Sequence, residues 1–225
     1  VTSKIKEGRA QGKEVIAMMH HGLVEHFPKQ SEIAGDYIIP NFISIAEEFA
    51  NAGLQFIFTG HSHAQDISQL TVGDRAIYDI QTGSSITYPC PYRIVNITED
   101  KFKVSSHDIL MNNELTGNED LRKFAYNDIY ARIMDIVPIA LESSAQAGGE
   151  LAEMIAPIAD ILQEIDPSII QPFATEIYTN MSGGDEAGVK SEFTHPETQE
   201  KIRTYDYAKL LLTEKGYESI IPLVD

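Results

Sequence analysis

The chain is poor in basic residues and in cysteine and has no long apolar run, and each shortage excludes a class of protein. Lys and Arg account for 17 of its 225 residues, against 34 for Asp and Glu, and the net charge of −17 predicts repulsion from nucleic acid and anionic membranes. A single cysteine, Cys90, excludes an intrachain disulfide. No apolar run reaches the length of a membrane span. The chain starts "VTSKIKEG", without Met or a signal peptide, so we expect a mature or cleaved product.

The hydrophobic pattern changes at about residue 113. Before it, short apolar runs alternate with helical patterns, which predicts an α/β domain over residues 1–113. An apolar run at 14–19, a helical stripe at 41–53 and a second apolar run at 54–60 predict a βαβ unit with two buried, parallel strands. Further strands are predicted at 74–83, 92–100 and 101–110, the last two joined by a hairpin turn.

The second region, residues 114–225, is expected to be an all-helical C-terminal domain. Apolar residues at helical spacing predict helices at 118–137, 151–165 and 196–216, with a loop at 180–191. We interpret the apolar stripes of this region as core and its carboxylates as solvated faces.

Two histidine clusters follow the two strands of the predicted βαβ unit. "HHG" places His20 and His21 after the first strand, and "GHSH" places His61 and His63 after the second. Because open α/β sheets carry their sites beyond the carboxyl ends of the strands, we expect these histidines to gather at one edge. In extended chain, residues i and i+2 point the same way, so His61 and His63 can face one cluster. Imidazole ligands suit zinc, iron and manganese.

"MMHHG" followed by "FTGHSHAQD" resembles the C-terminal half of a calcineurin-like metallophosphoesterase, and "IYDIQTGSSITYPCPYRIVNI" resembles the strands that follow in the branch containing class III cyclic nucleotide phosphodiesterases. The resemblance covers residues 13–110. It implies the second half of a metallophosphoesterase β-sandwich flanked by helices, followed by the helical C-terminal domain. Some members with such a helical extension are secreted or lipid-anchored, so the resemblance favours a place outside the cytoplasm.

The resemblance also implies roles for individual residues. His20 and His61 would bind one metal ion and His63 the other, in a site for two Mn, Fe or Zn ions that hydrolyses a phosphodiester or phosphomonoester such as a cyclic nucleotide. His21 would contact the substrate or orient a ligand. His26 would be the acid for the leaving group, a role that competes with that of a surface loop histidine. Asp66 either orients a ligand histidine or is a solvated carboxylate.

The motifs that open the family pattern, Asp-x-His, Gly-Asp-x-x-Asp and Gly-Asn-His-Asp, do not occur in the sequence. "TGNED" (116–120) and "GGDEAG" (183–188) imitate two of them, but both stand in the wrong order and we reject them. The chain alone therefore lacks ligands for two metals, and we expect it to be inactive without an N-terminal half, present in cis or as a separate chain. A sheet left bare by that missing half would also favour self-association.

Other functions fit the sequence less well. A catalytically inactive remnant that serves as a helical interaction module remains open, as does a 5′-nucleotidase-like phosphoesterase, although an all-helical tail is atypical of the latter. "HSHAQD" differs from the metallo-β-lactamase motif in the position of its Asp and lacks the following His. An amidohydrolase barrel would continue with further βα units after its His-x-His.

Overall fold

The computed structural model describes residues 1–27, 30–111, 114–146, 167–184, 192–194, 198–203, 206, 209–210, 213–214 and 216. The chain divides into two compact units, Val1–Ala125 with Met181–Gly184, and Tyr126–Asn180 with Asp185–Asp225. The division falls beyond residue 113, where the hydrophobic pattern changes. Among the helices of the described residues, none is both long enough and apolar enough to cross a membrane.

The first unit has the mixed α/β character that the sequence pattern predicts. Its helices are α1 (Thr2–Ala10), α2 (Gln30–Ile33) and α3 (Phe42–Ala52), with short 3₁₀ helices at Gly35–Tyr37 and Glu114–Thr116. Its strands are β1 (Ile16–Met18), β2 (Phe56–Thr59), β3 (Asp66–Val72), β4 (Arg75–Gln81), β5 (Pro91–Ile97) and β6 (Phe102–Asp108). Helix α1 and strand β3 were not predicted from the sequence.

Four strands form one sheet in the order β1-β2-β4-β3. Strands β1, β2 and β4 are parallel, with Ile16 opposite Phe56 and Phe56 opposite Tyr78, while β3 runs antiparallel to β4. The predicted βαβ unit of β1, α3 and β2 is therefore confirmed. Strands β5 and β6 pair antiparallel in a separate sheet, as the hairpin prediction required.

Helix α3 covers one face of the four-stranded sheet. Its buried Ala46 and Ala50 belong to the same apolar cluster as Ile57 and Ile77 of the sheet. The helix ends where Gly53 adopts a left-handed conformation with φ of 100°, which is the stop expected of a glycine at this position. This packing fixes the strands whose carboxyl ends carry the histidines.

The opposite face of the sheet is covered unevenly. Phe56 of β2 stacks on Phe102 of β6 with ring centroids 3.8 Å apart. On the edge strand β1, however, the side chain of Ile16 is 44% exposed and that of Met18 is 84% exposed. The prediction that β1 is a buried strand is wrong, because β1 lies at the edge of the sheet and its apolar residues on this face stay largely open to solvent.

The second region contains strands as well as helices, so the prediction of an all-helical domain is wrong. Helix α4 (Leu121–Gln146) matches the predicted helix at 118–137, and α5 (Pro167–Gly183) runs into the predicted loop at 180–191. Strands β7 (Glu192–Thr194) and β8 (Lys201–Arg203) pair antiparallel, and β8 occupies part of the stretch predicted as a helix at 196–216. In this hairpin Ile202 pairs with Phe193 on the neighbouring strand. The predicted helix at 151–165 lies outside the described residues.

Candidate metal-binding site

His20 and His21 lie just beyond the carboxyl end of β1, and His61 and His63 lie beyond that of β2. The parallel pairing continues past the strands, since the backbone N–H of Gly60 donates a 3.0 Å hydrogen bond to the carbonyl of His20. The two histidine segments are thus joined at the position that the sequence analysis expected.

The rings of His20, His21 and His61 form a cluster. The ring centroids of His20 and His61 are 4.6 Å apart, those of His21 and His61 are 4.6 Å apart, and those of His20 and His21 are 5.2 Å apart. His20 Nε2 lies 2.7 Å from His61 Nδ1, within hydrogen-bonding distance when one nitrogen carries a proton. Tyr37, from the 3₁₀ helix, packs on His61 with centroids 4.8 Å apart. We call these four rings the histidine cluster.

His61 and His63 do not lie in extended chain as predicted. Both have left-handed backbone conformations, with φ of 70° for His61 and 56° for His63, in a bend between β2 and β3. Residues other than glycine adopt this conformation at an energetic cost, and such strain is concentrated at functional sites. His63 is exposed, and the ring contacts within the described residues do not include it.

The environment of His61 favours its neutral form. Partial burial lowers its pKa, and repulsion from His21, His20 and His63 lowers it further, while Asp36 acts in the opposite sense. A neutral imidazole is the form that binds a metal ion. The cluster therefore concentrates ligand nitrogens and disfavours the proton that would compete with a metal ion.

His26 lies in a different environment from the one that its predicted role requires. Its side chain is 3% exposed, with Nδ1 2.8 Å from Asp66 Oδ2 and Nε2 3.5 Å from Asp79 Oδ2. Burial lowers the pKa of His26, but the two carboxylates outweigh burial and raise that pKa to about 9. A leaving-group acid must reach the substrate, and this buried imidazole is instead enclosed by carboxylates. Asp66 orients His26 rather than a ligand histidine of the cluster.

Asp79 is a buried carboxylate that the sequence analysis did not single out. Its Oδ2 accepts hydrogen bonds from the backbone N–H groups of Leu23 at 2.6 Å and Val24 at 3.0 Å, and its Oδ1 accepts one from the Thr59 hydroxyl. The signal in the sequence was a lone Asp inside the apolar strand "RAIYDIQ", a position where a carboxylate needs buried partners.

The decoy motif at 116–120 has a structural role. The side chain of Asp120 accepts hydrogen bonds from the backbone N–H groups of Arg122 and Lys123, which caps the N-terminus of α4. The rejection of "TGNED" as a metal motif agrees with this contact. The second decoy, at 183–188, lies mostly outside the described residues.

The histidine cluster fits part of a metal site. Two nitrogens that bind one tetrahedral zinc ion are about 3.3 Å apart, so the 2.7 Å separation of His20 and His61 needs to open by less than an ångström. In the part of the chain that the structure describes, no three His, Cys, Asp or Glu side chains are grouped so that they could hold a metal ion. The described residues therefore supply a ligand pair and not a complete ligand set.

Comparison with protein-family models and with curated proteins identified no match to this chain.

Proposed function

We propose that the chain supplies histidine ligands to a dinuclear, metal-dependent phosphohydrolase. His20 and His61 would bind one ion and His63 the other. The observation that carries the proposal is the approach of His20 Nε2 to His61 Nδ1 at the ends of two adjacent parallel strands. The contact between His20 and His61 supports a shared ion directly, whereas His63 has no comparable contact among the described residues to support its binding of a second ion.

Metal ions bound at such a site would polarise the phosphoryl group and lower the pKa of a bridging water, and Mn, Fe and Zn all suit imidazole ligands. The protein residues would place these ions. His21 packs on His61 beside the ligand pair, where it can contact the substrate. A small phosphoester such as a cyclic nucleotide is the substrate that this chemistry favours, because the metal ions would supply the positive charge that an acidic chain lacks.

A complete site needs ligands in addition to these histidines. We propose that an N-terminal half of the same enzyme, in cis or as a separate chain, provides the bridging carboxylate. The exposed edge of β1 supports this, because within the described residues β1 pairs with β2 on one side only, and its other edge, beside the exposed Ile16 and Met18, can accept a further strand.

One alternative is a catalytically inactive remnant that serves as a helical interaction module, and the same exposed edge would give it a further surface for association. Metal binding separates the two functions. Zn²⁺ and Mn²⁺ titrations of the full 225-residue chain, followed by isothermal titration calorimetry, should show binding that His61→Ala weakens by at least about tenfold, since one of two clustered nitrogens is removed.

The control is His107→Ala. His107 lies on β6 and stacks on Tyr92, away from the strand ends that carry the histidine cluster. Like His61→Ala, the His107→Ala variant has one histidine fewer than the wild type. Its affinity for Zn²⁺ and Mn²⁺ should nevertheless be unchanged. Equal affinities for the wild type, His61→Ala and His107→Ala would reject the proposed metal site.

A further inference from the structure

We infer that His26, Asp66 and Asp79 form a buried brace that sets the distance between the two histidine segments, so that His26 is a positioning residue for the ligands. This inference rests on the proposed function, because its main readout is metal binding. We call these three side chains and their contacts the buried brace.

Asp79 ties the two strand ends together. Its carboxylate holds the backbone of Leu23 and Val24, a few residues after His20, and the hydroxyl of Thr59, two residues before His61. Asp79 belongs to β4, the central neighbour of β2, and its side chain is fully buried. Both histidine segments are therefore anchored to one buried side chain of the sheet.

His26 holds the other end of the bend that carries His61 and His63. Its Nδ1 contacts Asp66, the first residue of β3, while its Nε2 faces Asp79. Thr59 and Asp66 flank the bend, so both of its ends are tied to the brace, one through Asp79 and one through His26. Two further hydrogen bonds hold residues of the bend. Gln81 Nε2 donates to the carbonyl of Gly60, and Gly83 N donates to Gln65 Oε1.

These anchors hold a strained segment of the backbone in place. The left-handed conformations of His61 and His63 are strained and persist only where the surroundings hold them. His26 also carries its own anchor, because its backbone N–H donates to Gln30 Oε1 at 2.7 Å. Removing the imidazole would take away the ring that contacts Asp66 and the cationic neighbour of Asp79, and the bend could then relax and separate His61 from His20.

The test compares the full chain with His26→Gln and with the control His107→Gln. Co²⁺ is the probe, because its visible absorption reports both affinity and the geometry of the ligands. Titrations are performed well below the unfolding temperature of each protein, so that only folded molecules are compared. We expect His26→Gln to bind Co²⁺ about tenfold more weakly and with an altered spectrum, and His107→Gln to match the wild type.

The outcomes are distinguishable. If His26→Gln unfolds at a lower temperature but binds Co²⁺ with the wild-type affinity and spectrum, His26 is merely structural and the inference is overturned. If the wild type itself binds no Co²⁺, the proposed function fails, and the brace is then judged from the imidazole NMR resonances of His20 and His61, which should shift in His26→Gln alone. Should His26→Gln not fold, Asp66→Ala provides the same comparison, because Asp66 is the member of the brace whose side chain is partly exposed.

Discussion

His20 and His61 are separated by 41 positions in the sequence, and their ring nitrogens lie 2.7 Å apart. The reason is topological. Strands β1 and β2 are parallel neighbours, so both chains leave the sheet at the same edge, and the hydrogen bond from Gly60 N to His20 O keeps them in register past the last strand residues. Two imidazoles brought together by the fold, rather than by closeness in sequence, are the basis of the predicted metal site.

Metal binding should raise the thermal stability of the wild type and not that of His20→Ala. A ligand that binds only the folded state stabilises it by about 2.7 kcal/mol at a concentration 100 times its Kd. We therefore expect Zn²⁺ to raise the Tm of the wild type, measured by differential scanning calorimetry, and EDTA to reverse the increase. A Zn²⁺-dependent shift of the same size in His20→Ala would show that the metal binds elsewhere.

The stabilising effect of His26 should depend on pH. The pKa of His26 is about 9 in the folded protein against 6.5 for an ordinary histidine, so folding favours its protonated form. The contribution of His26 to the free energy of unfolding is therefore complete below pH 6.5 and is lost as the pH rises through about 9. His26→Gln should therefore lower the free energy of unfolding by about 3 kcal/mol at acidic to neutral pH and by less above pH 9.

Urea denaturation with EDTA present measures this difference across the pH range. His107→Gln serves as the control and should be close to the wild type throughout. A difference between wild type and His26→Gln that stays constant or grows with pH would contradict the charged contacts described for His26.

The link between the two sheets should depend on Phe102. Its ring stacks on Phe56 at 3.8 Å and lies 6.2 Å from Phe58, so truncation removes the aromatic contact between β6 and the four-stranded sheet. Phe102→Ala should cost about 2 kcal/mol, less than a fully buried Phe, because the ring is half-buried. Tyr92→Ala, on the exposed face of the β5–β6 hairpin, should cost much less in the same urea experiment. Equal losses for both variants would show that the stack does not join the sheets.

The sequence allowed the histidine edge to be predicted because it depends on local patterns. Apolar runs and the stripe of α3 define a βαβ unit, and the parallel strands then bring His20 and His61 together. The exposure of β1 could not be predicted from its run of apolar residues. It depends on the place of β1 at the edge of the sheet, which the local sequence does not specify. The β7–β8 hairpin was missed for a different reason, since short paired segments carry little periodicity.

The buried brace could not be predicted because its contacts are long-range. Asp79 binds the backbone of Leu23 and Val24, and His26 pairs with Asp66, across separations of 40 residues or more. The family resemblance implied that His26 is an accessible acid, whereas the fold buries it between two carboxylates. The left-handed conformations of His61 and His63 likewise result from tertiary anchors at both ends of the bend, which a local alternation rule does not contain.

The exposed edge of β1 should govern association. Met18 is 84% exposed on an edge strand, where a lysine would add charge and hinder the addition of another strand. Met18→Lys should weaken concentration-dependent self-association in sedimentation velocity, or binding of an N-terminal half where that polypeptide is supplied. Its effect on the Tm should be small, because the side chain has few contacts to lose.

Ile86→Lys is the matched control, since Ile86 is 83% exposed but lies in a turn between β4 and β5. Equal loss of association in both variants would point to net charge as the cause, and unchanged association in Met18→Lys would show that the edge of β1 is not the interface.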